Sequence, residues 1–257
     1  MKYIKSETTN KIAYITLNRP EKRNALNAEL VEELKNTFKK AESDKNVKII
    51  VLKAEGKAFC AGADLSYLQN LQKNSFDENL EDSKNLAELY KTIYTLNKIV
   101  IAQVEGHAIA GGAGLATVCD FVFAVPEAKY GYTEVAIGFV PAIVSFFLLR
   151  KIGETKAKEL LLTGNIISAE EAKEKGIFNF IEKKETIEKA VNDFALNLIK
   201  NASADSLSLT KKLISDIQNL DYDKALDFAA EVNAMSRATE DCKKGISAFL
   251  NKEKISW

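Results

Sequence analysis

The sequence predicts an α/β domain with parallel strands and a helical C-terminal region, and three observations carry that expectation. Short apolar runs alternate with amphipathic segments in strand–loop–helix units recurring roughly every 40–50 residues, which favours parallel pairing through crossover connections. From Pro141 onward the pattern is mainly helical. No Pro/Gly/Ser-rich linker divides the chain, and all 3 prolines fall before position 142. One strand–helix core (1–195) with a helical extension (196–257) therefore fits better than two independent domains.

The elements follow in order. Tyr3–Thr8 and Lys11–Leu17 read as two strands joined at Thr9-Asn10, the second alternating through Ile12, Tyr14 and Thr16. After the polar loop Asn18–Asn24, Asn27 caps a helix with Leu30, Val31, Leu34 and Phe38 on one face. Val47–Leu52 is a buried-type strand, and Gly56 opens the loop to Asp64. Gln69–Ser83 is polar and weakly periodic, read as the most mobile stretch and a candidate lid. Leu86, Leu89, Ile93 and Leu96 restore helical spacing before the strand Ile99–Val104, and Phe121–Val125 is the next strand. Ser168-Ala-Glu-Glu171 is a capping box, with Gly176 as its helix stop and a brief strand over 176–181. Helices are expected over 184–200, 205–220 and 221–251, the last broken near Thr239–Asp241.

Composition removes whole classes of function. Lys+Arg and Asp+Glu are both 36, so the net charge is zero and a nucleic-acid partner held by bulk charge is not expected. The first residues have no apolar signal-peptide core, and the apolar run Val140–Leu149 is far short of the ~20 residues that span a bilayer. Cys60, Cys119 and Cys242 are odd in number and scattered, which signals neither a disulfide framework nor a zinc site. A soluble cytoplasmic protein without membrane contact is the expectation. With His107 as the single histidine, paired-histidine metal sites are excluded; His107 itself reads as a packed or hydrogen-bonded residue. There is no G-x-S-x-G elbow and no P-loop. Gly112-Ala-Gly114 gives a weak dinucleotide-binding signal that fails at the third small position, Thr117.

Two loops share one design: an apolar strand, small residues with glycine, then a helix start. They are Phe59-Cys-Ala-Gly-Ala-Asp-Leu65 and Ala110-Gly-Gly-Ala-Gly114. Each glycine inside a helix costs roughly 1 kcal/mol relative to alanine, so Gly111, Gly112 and Gly114 together serve either close approach to a ligand or tight helix–strand packing. Brought side by side, the two loops could aim two backbone N–H groups at one oxygen, an oxyanion hole without side chains. Glu134 nearby could then move protons if burial raises its pKa. Asp64 is the competing carboxylate, or a brace of its own loop.

The order and spacing of Asn18-Arg-Pro-Glu-Lys-Arg-Asn-Ala-Leu26, Ala58–Leu65, Gly106–Asp120 and Gly131-Tyr-Thr-Glu134 resemble the enoyl-CoA hydratase/isomerase (crotonase) family over nearly the whole chain. The resemblance implies a spiral of ββα turns and a C-terminal helical trimerisation region, assembled as a homotrimer or dimer of trimers. It also implies an acyl-CoA substrate, with coenzyme A belonging to the substrate and no separate cofactor or metal. Carried over by position, Ala63 and Gly111 match the oxyanion donors and Glu134 the acid/base. Ala25, Ala61, Asp64 and Leu65 match the loops that hold coenzyme A. Lys22 and Arg23 could meet the ADP phosphates, and Lys252 matches a basic position that in relatives reaches a phosphate, sometimes from a neighbouring subunit.

One departure stands out. Hydratases of the family carry two glutamates, and the position of the first is Gly114 here, which the resemblance still counts among the substrate-binding positions. The Gly-x-Gly-Leu turn at 112–115 and Pro141-Ala-Ile143 are similar to bacterial methylglutaconyl-CoA hydratases of leucine degradation. Hydration of a short 2-enoyl-CoA with one glutamate is the leading expectation. A lone glutamate also suits a double-bond isomerase, and a non-catalytic relative that binds CoA esters or RNA is the rival of another class.

Overall fold

A computed structural model describes residues 1–255 and 257, and for Leu65 the backbone alone. The chain runs β1 (Ile4–Thr9), β2 (Ile12–Leu17), α1 (Ala28–Ser43), β3 (Ile49–Ala54), β4 (Ala58–Cys60), α2 (Leu65–Leu71), α3 (Phe76–Thr95), β5 (Ile99–Val104), β6 (His107–Ile109), α4 (Gly111–Thr117), β7 (Phe121–Ala124) and β8 (Lys129–Gly131). There follow α5 (Ala142–Thr163), β9 (Ile166–Ser168), α6 (Ala169–Glu174), β10 (Phe180–Ile181), α7 (Ile187–Asn201), α8 (Ala204–Ile217), α9 (Tyr222–Ala238) and α10 (Glu240–Leu250).

Two sheets organise the core. A 6-stranded sheet has the order β1-β2-β3-β5-β7-β10, and a 4-stranded sheet the order β4-β6-β8-β9. Pairing is parallel throughout except in the β1–β2 hairpin and between β8 and β9. Each of the pairs β3/β4, β5/β6 and β7/β8 places its first strand in the larger sheet and its second in the smaller; helices return the chain to the larger sheet after β4 and β6, whereas α5 leads from β8 to β9 of the smaller sheet. This is the expected spiral of ββα turns. The inner strands of the larger sheet are apolar because both their faces are covered: every residue of β5 is buried, and so are Ile49–Leu52 of β3.

Local chemistry sets the helix boundaries. Asn27 Oδ1 accepts from the Leu30 N–H at 2.9 Å, and the expected face Leu30, Val31, Leu34 and Phe38 is buried. Ser168 and Glu171 form the expected capping box. Thr239 ends α9 and caps α10, which is the anticipated break.

Three expectations need correction. The polar stretch 69–83 is largely helical: α2 runs to Leu71, and α3 begins at Phe76 behind a second capping box, Ser75 with Glu78. The smaller sheet has no counterpart in the hydrophobic pattern, because β4, β6, β8 and β9 are 3 residues each, too short to show a period. The strand expected over 176–181 is only Phe180–Ile181.

The C-terminal helices are anchored electrostatically as well as by packing. Lys211 on α8 is buried, donating to the Ile93 and Lys98 carbonyls at 3.2 and 3.0 Å and pairing with Asp120 Oδ2 at 2.7 Å. The same Asp120 oxygen accepts from the Val100 N–H at 2.7 Å, so one carboxylate ties α8 to β5. Among the described residues, no helix is long and apolar enough to cross a membrane.

Candidate active site

The first glycine loop is zipped to the Asn18–Asn27 loop by its backbone. The Leu26 N–H donates to Gly62 O at 2.7 Å, the Asp64 N–H to Leu26 O at 2.8 Å, and the Ala61 N–H to Arg23 O at 3.1 Å. Leu26 and Ala63 thus form a parallel bridge. Successive amides in an extended segment alternate in direction, so the N–H of exposed Ala63 points away from Leu26 while its neighbours are consumed. The zipper places Lys22, Arg23 and Ala25 beside Ala61–Asp64. Lys22 and Arg23 are exposed, and Ala25 is buried. Leu65 starts α2, and its side chain lies outside the described residues.

A residue that motif reading passed over secures this corner. Arg19 is buried, donates to Ala25 O at 2.9 Å and pairs with Asp64 Oδ2 at 2.7 Å. Asp64 Oδ1 accepts from the Ser66 N–H at 2.9 Å and hydroxyl at 2.6 Å, capping α2. The bonds from Ser66, reinforced by Arg19, hold the Asp64 carboxyl down at about 2. Asp64 is therefore ionised at neutral pH and braces its loop, whereas burial pushes the Glu134 carboxyl the other way.

The second loop meets the first at glycines that leave no room for a Cβ of their own. A side chain on Gly62, whose φ is +90°, would lie 2.9 Å from Ala110 Cβ and 3.7 Å from Gly111 N. One on Gly112 would sit on the Cys60 carbonyl oxygen. The glycines let the two loops approach closely, Gly62 against Ala110 and Gly111, and Gly112 against Cys60. Gly111 is the first residue of α4, so its N–H has no intrahelical acceptor.

Glu134 follows β8 on a single 3-10 turn, Glu134–Ile137. Strand pairing couples it to the second loop: Ile109 is in register with Gly131, and the Ala110 N–H donates to Gly131 O at 2.8 Å. Among the described residues, Glu134 Oε2 is buried with no hydrogen-bond partner, and burial raises its pKa above the ordinary carboxylate value. Behind it, Thr117 Oγ1 lies 2.5 Å from Tyr130 Oη and 2.8 Å from Tyr132 Oη, and the two phenols are 2.7 Å apart. This buried trio stiffens the segment that presents Glu134.

Gly114 has its own explanation. A Cβ there would lie 2.7 Å from Val144 Cγ1 and 2.8 Å from Tyr90 Oη. The volume that a side chain at 114 needs is taken by Tyr90, which is fully buried and donates to Gly111 O at 2.7 Å. Neither Tyr90 nor Val144 was singled out from the sequence, since each reads as ordinary core.

Two sequence candidates lie elsewhere. Lys252 is exposed just past α10, and α10 packs on α8 and α9 rather than on these loops. His107, expected to be packed or hydrogen-bonded, is exposed on β6 rather than packed. Cys60 and Cys119 are buried, and burial pushes both thiols up to about 12, which makes them inert. No cluster of His, Cys, Asp and Glu that could hold a metal ion occurs among the described residues.

Known proteins share this architecture. The family profile described as enoyl-CoA hydratase/isomerase matches residues 7–257. A Thermus thermophilus protein carrying a provisional enoyl-CoA hydratase name is 42% identical over 241 residues, covering 94% of this chain and 95% of its own. The crotonyl-CoA hydratase of Syntrophomonas wolfei is 33% identical over 253 residues, covering 98% and 96%. The crystal structure of an enoyl-CoA hydratase from Shewanella pealeana superposes with a TM-score of 0.93 at 28% identity, covering 99% and 96%. A ββα spiral carrying two glycine loops and Glu134, matched by the family profile over residues 7–257 and by relatives across nearly their whole length, this chain belongs to the enoyl-CoA hydratase/isomerase family.

Proposed function

We propose that this protein hydrates a short 2-enoyl-CoA thioester, and dehydrates the corresponding 3-hydroxyacyl-CoA, with Glu134 as its single acid/base. Glu134 removes a proton from water as the water oxygen attacks C3. The resulting enolate oxygen is held by the Ala63 and Gly111 amides. Protonated Glu134 then gives its proton to C2, so one water is added and the carboxylate is restored. One backbone donor of this kind is typically worth about 2.7–4 kcal/mol of transition-state stabilisation. The observation that carries the reading is Glu134 Oε2, buried and without a hydrogen-bond partner among the described residues, on the segment bonded to the Gly111 loop. Its raised pKa suits a group that must hold a proton between two steps.

Lys22 and Arg23 are assigned to the ADP phosphates of coenzyme A, and the backbone of Ala25, Ala61, Asp64 and Leu65 to the rest of the cofactor-like tail. The assembly we infer is a homotrimer or a dimer of trimers, in which Lys252 completes the phosphate site of its own or a neighbouring subunit. Crotonyl-CoA and methylglutaconyl-CoA are the first substrates to test, the former because the Syntrophomonas relative is named for it.

Gly114 favours a second reading. With no second carboxylate to orient water, the same glutamate could shuttle one proton between C2 and C4 of a 3-enoyl-CoA. Mass analysis of products from crotonyl-CoA, methylglutaconyl-CoA and a 3-enoyl-CoA separates the cases. Gain of one water on either 2-enoyl ester is the expected result. Unchanged mass with a moved double bond indicates the isomerase, and retention without turnover indicates a binding protein.

A further inference from the structure

We propose that Arg19 strengthens the Ala63 oxyanion donor through a relay of two peptide groups; this rests on reading Ala63 as such a donor. The relay can be followed atom by atom. Arg19 Nη1 donates to Ala25 O at 2.9 Å. That carbonyl shares its peptide with the Leu26 N–H, which donates to Gly62 O at 2.7 Å. Gly62 O in turn shares its peptide with the Ala63 N–H. Both peptides are trans, so in each unit the C=O points opposite to the N–H. A cation at the Ala25 carbonyl polarises the Ala25–Leu26 peptide and, through the Leu26 N–H, the Gly62–Ala63 peptide. The sense of that polarisation leaves the Ala63 N–H more positive, as stabilisation of an oxyanion requires. A hydrogen bond from an ionised donor is roughly twice as strong as a neutral one, which is why a guanidinium at the far end of the chain matters.

The corner is built to hold that cation in place. Arg19 is buried, a rare position for an arginine without a partner. Its guanidinium pairs with Asp64 Oδ2 at 2.7 Å and lies 5.1 Å from the centre of the Tyr3 ring. The Arg19 N–H donates to Asn24 Oδ1 at 2.8 Å. Asn24 Nδ2 donates to the Glu55 and Ala58 carbonyls at 2.8 and 2.9 Å, so the backbone that carries the guanidinium is fixed to the turn between β3 and β4. The Gly111 donor is served differently. The carbonyl of its peptide, Ala110 O, accepts from the Gly114 N–H at 3.0 Å, a neutral bond in the first turn of α4. Arg19 touches no substrate and acts through Ala25, Leu26 and Gly62, as a positioning residue.

Arg19→Gln replaces the ionised donor by a neutral one. With an oxyanion donor worth a factor of about 10²–10³ and cooperative strengthening of about 10–30% per bond, kcat should fall roughly twofold to eightfold, with KM within about twofold. Butyryl-CoA labelled with 13C at its carbonyl provides a readout that does not depend on turnover. Difference infrared spectra should show the carbonyl band shifted to lower frequency in the wild-type complex and partly returned in Arg19→Gln. Replacing the Leu26 amide by an ester, through codon suppression with the α-hydroxy acid, removes the middle N–H, and in that background Arg19→Gln should leave the band where it is. Arg19→Gln also strips buried Asp64 of its cation and should lower Tm. Adding Asp64→Asn removes the unpaired charge and keeps a helix cap, so Tm should recover while kcat and the band stay at their Arg19→Gln values. Recovery of kcat together with Tm, or an unmoved band in Arg19→Gln, overturns the relay and makes Arg19 a structural brace. A band shift as large in the ester background as in the amide overturns the route through Leu26. A wild-type complex showing no carbonyl shift overturns the donor reading beneath it, and the relay with it.

Discussion

Placing a methyl group on Gly114 probes the packing that keeps a second glutamate out of the site. The added carbon would lie 2.7 Å from Val144 Cγ1, 2.8 Å from Tyr90 Oη and 2.9 Å from Tyr90 Cζ. Tyr90 cannot simply swing aside, because its hydroxyl is bonded to Gly111 O and its ring packs on Phe147. Overfilling a packed core by one carbon costs ~1–3 kcal/mol, and displacing the Tyr90 hydrogen bond adds ~1 kcal/mol. Better helix propensity returns ~1 kcal/mol. Gly114→Ala should therefore be destabilised by about 1–3 kcal/mol, and at ~2–4 °C per kcal/mol for a chain of this size a drop of several degrees in Tm is expected. Thermal unfolding followed by circular dichroism measures it, and adding Val144→Ala should recover part of the loss. A rise of ~2–4 °C with activity intact, the outcome of helix propensity alone, would refute the packing argument.

Further outcomes follow from the charged groups. The folded pKa of Asp64 is about 2, against ~3.9 in an unfolded chain, so it contributes about 2 kcal/mol that is present above the unfolded value and lost as pH falls through the folded one. Urea unfolding of Asp64→Asn should accordingly show a weaker loss of stability between about pH 4 and pH 2 than the wild type. Glu134 has the opposite sign: its folded pKa is raised, so its ionisation costs nothing below the unfolded value of ~4.3 and destabilises as pH rises through the folded one. Glu134→Gln should thus melt higher than the wild type at pH 7. Lys211→Met strips Asp120 of its cation at a site where burial already raises its pKa, and should cost about 3 kcal/mol. Adding Asp120→Asn should recover a large part of that loss in the same unfolding assay.

What could be read from the sequence followed the strength of each local signal. The inner strands β3, β5 and β7 of the larger sheet are apolar runs, and α1 and α6 announce themselves through Asn27 and the Ser168/Glu171 box. The smaller sheet was hidden because strands of 3 residues show no alternation, so its order had to come from the structure. The start of α3 was legible after all: Ser75-Phe-Asp-Glu78 is a capping box, masked by the polarity around it. Ala63, Gly111 and Glu134 could be selected from the order of motifs, but the Leu26–Ala63 bridge that orients the first amide is invisible in one dimension. Arg19 and Tyr90 escaped notice for a related reason. One sits in a loop of polar residues and the other on an apolar helix face, and each gains its role only through contacts with distant residues, Asp64 and Gly111.

In the proposed mechanism Glu134 alone does all the proton transfer. Measuring kcat for Glu134→Gln with crotonyl-CoA, alongside the Kd of a saturated acyl-CoA, tests it most directly. The expected result is a fall of at least ~10²-fold in kcat with Kd within about twofold, because the amide keeps the shape and loses only the exchangeable charge. A Glu134→Gln protein that still adds water within a few-fold of the wild-type rate would contradict it.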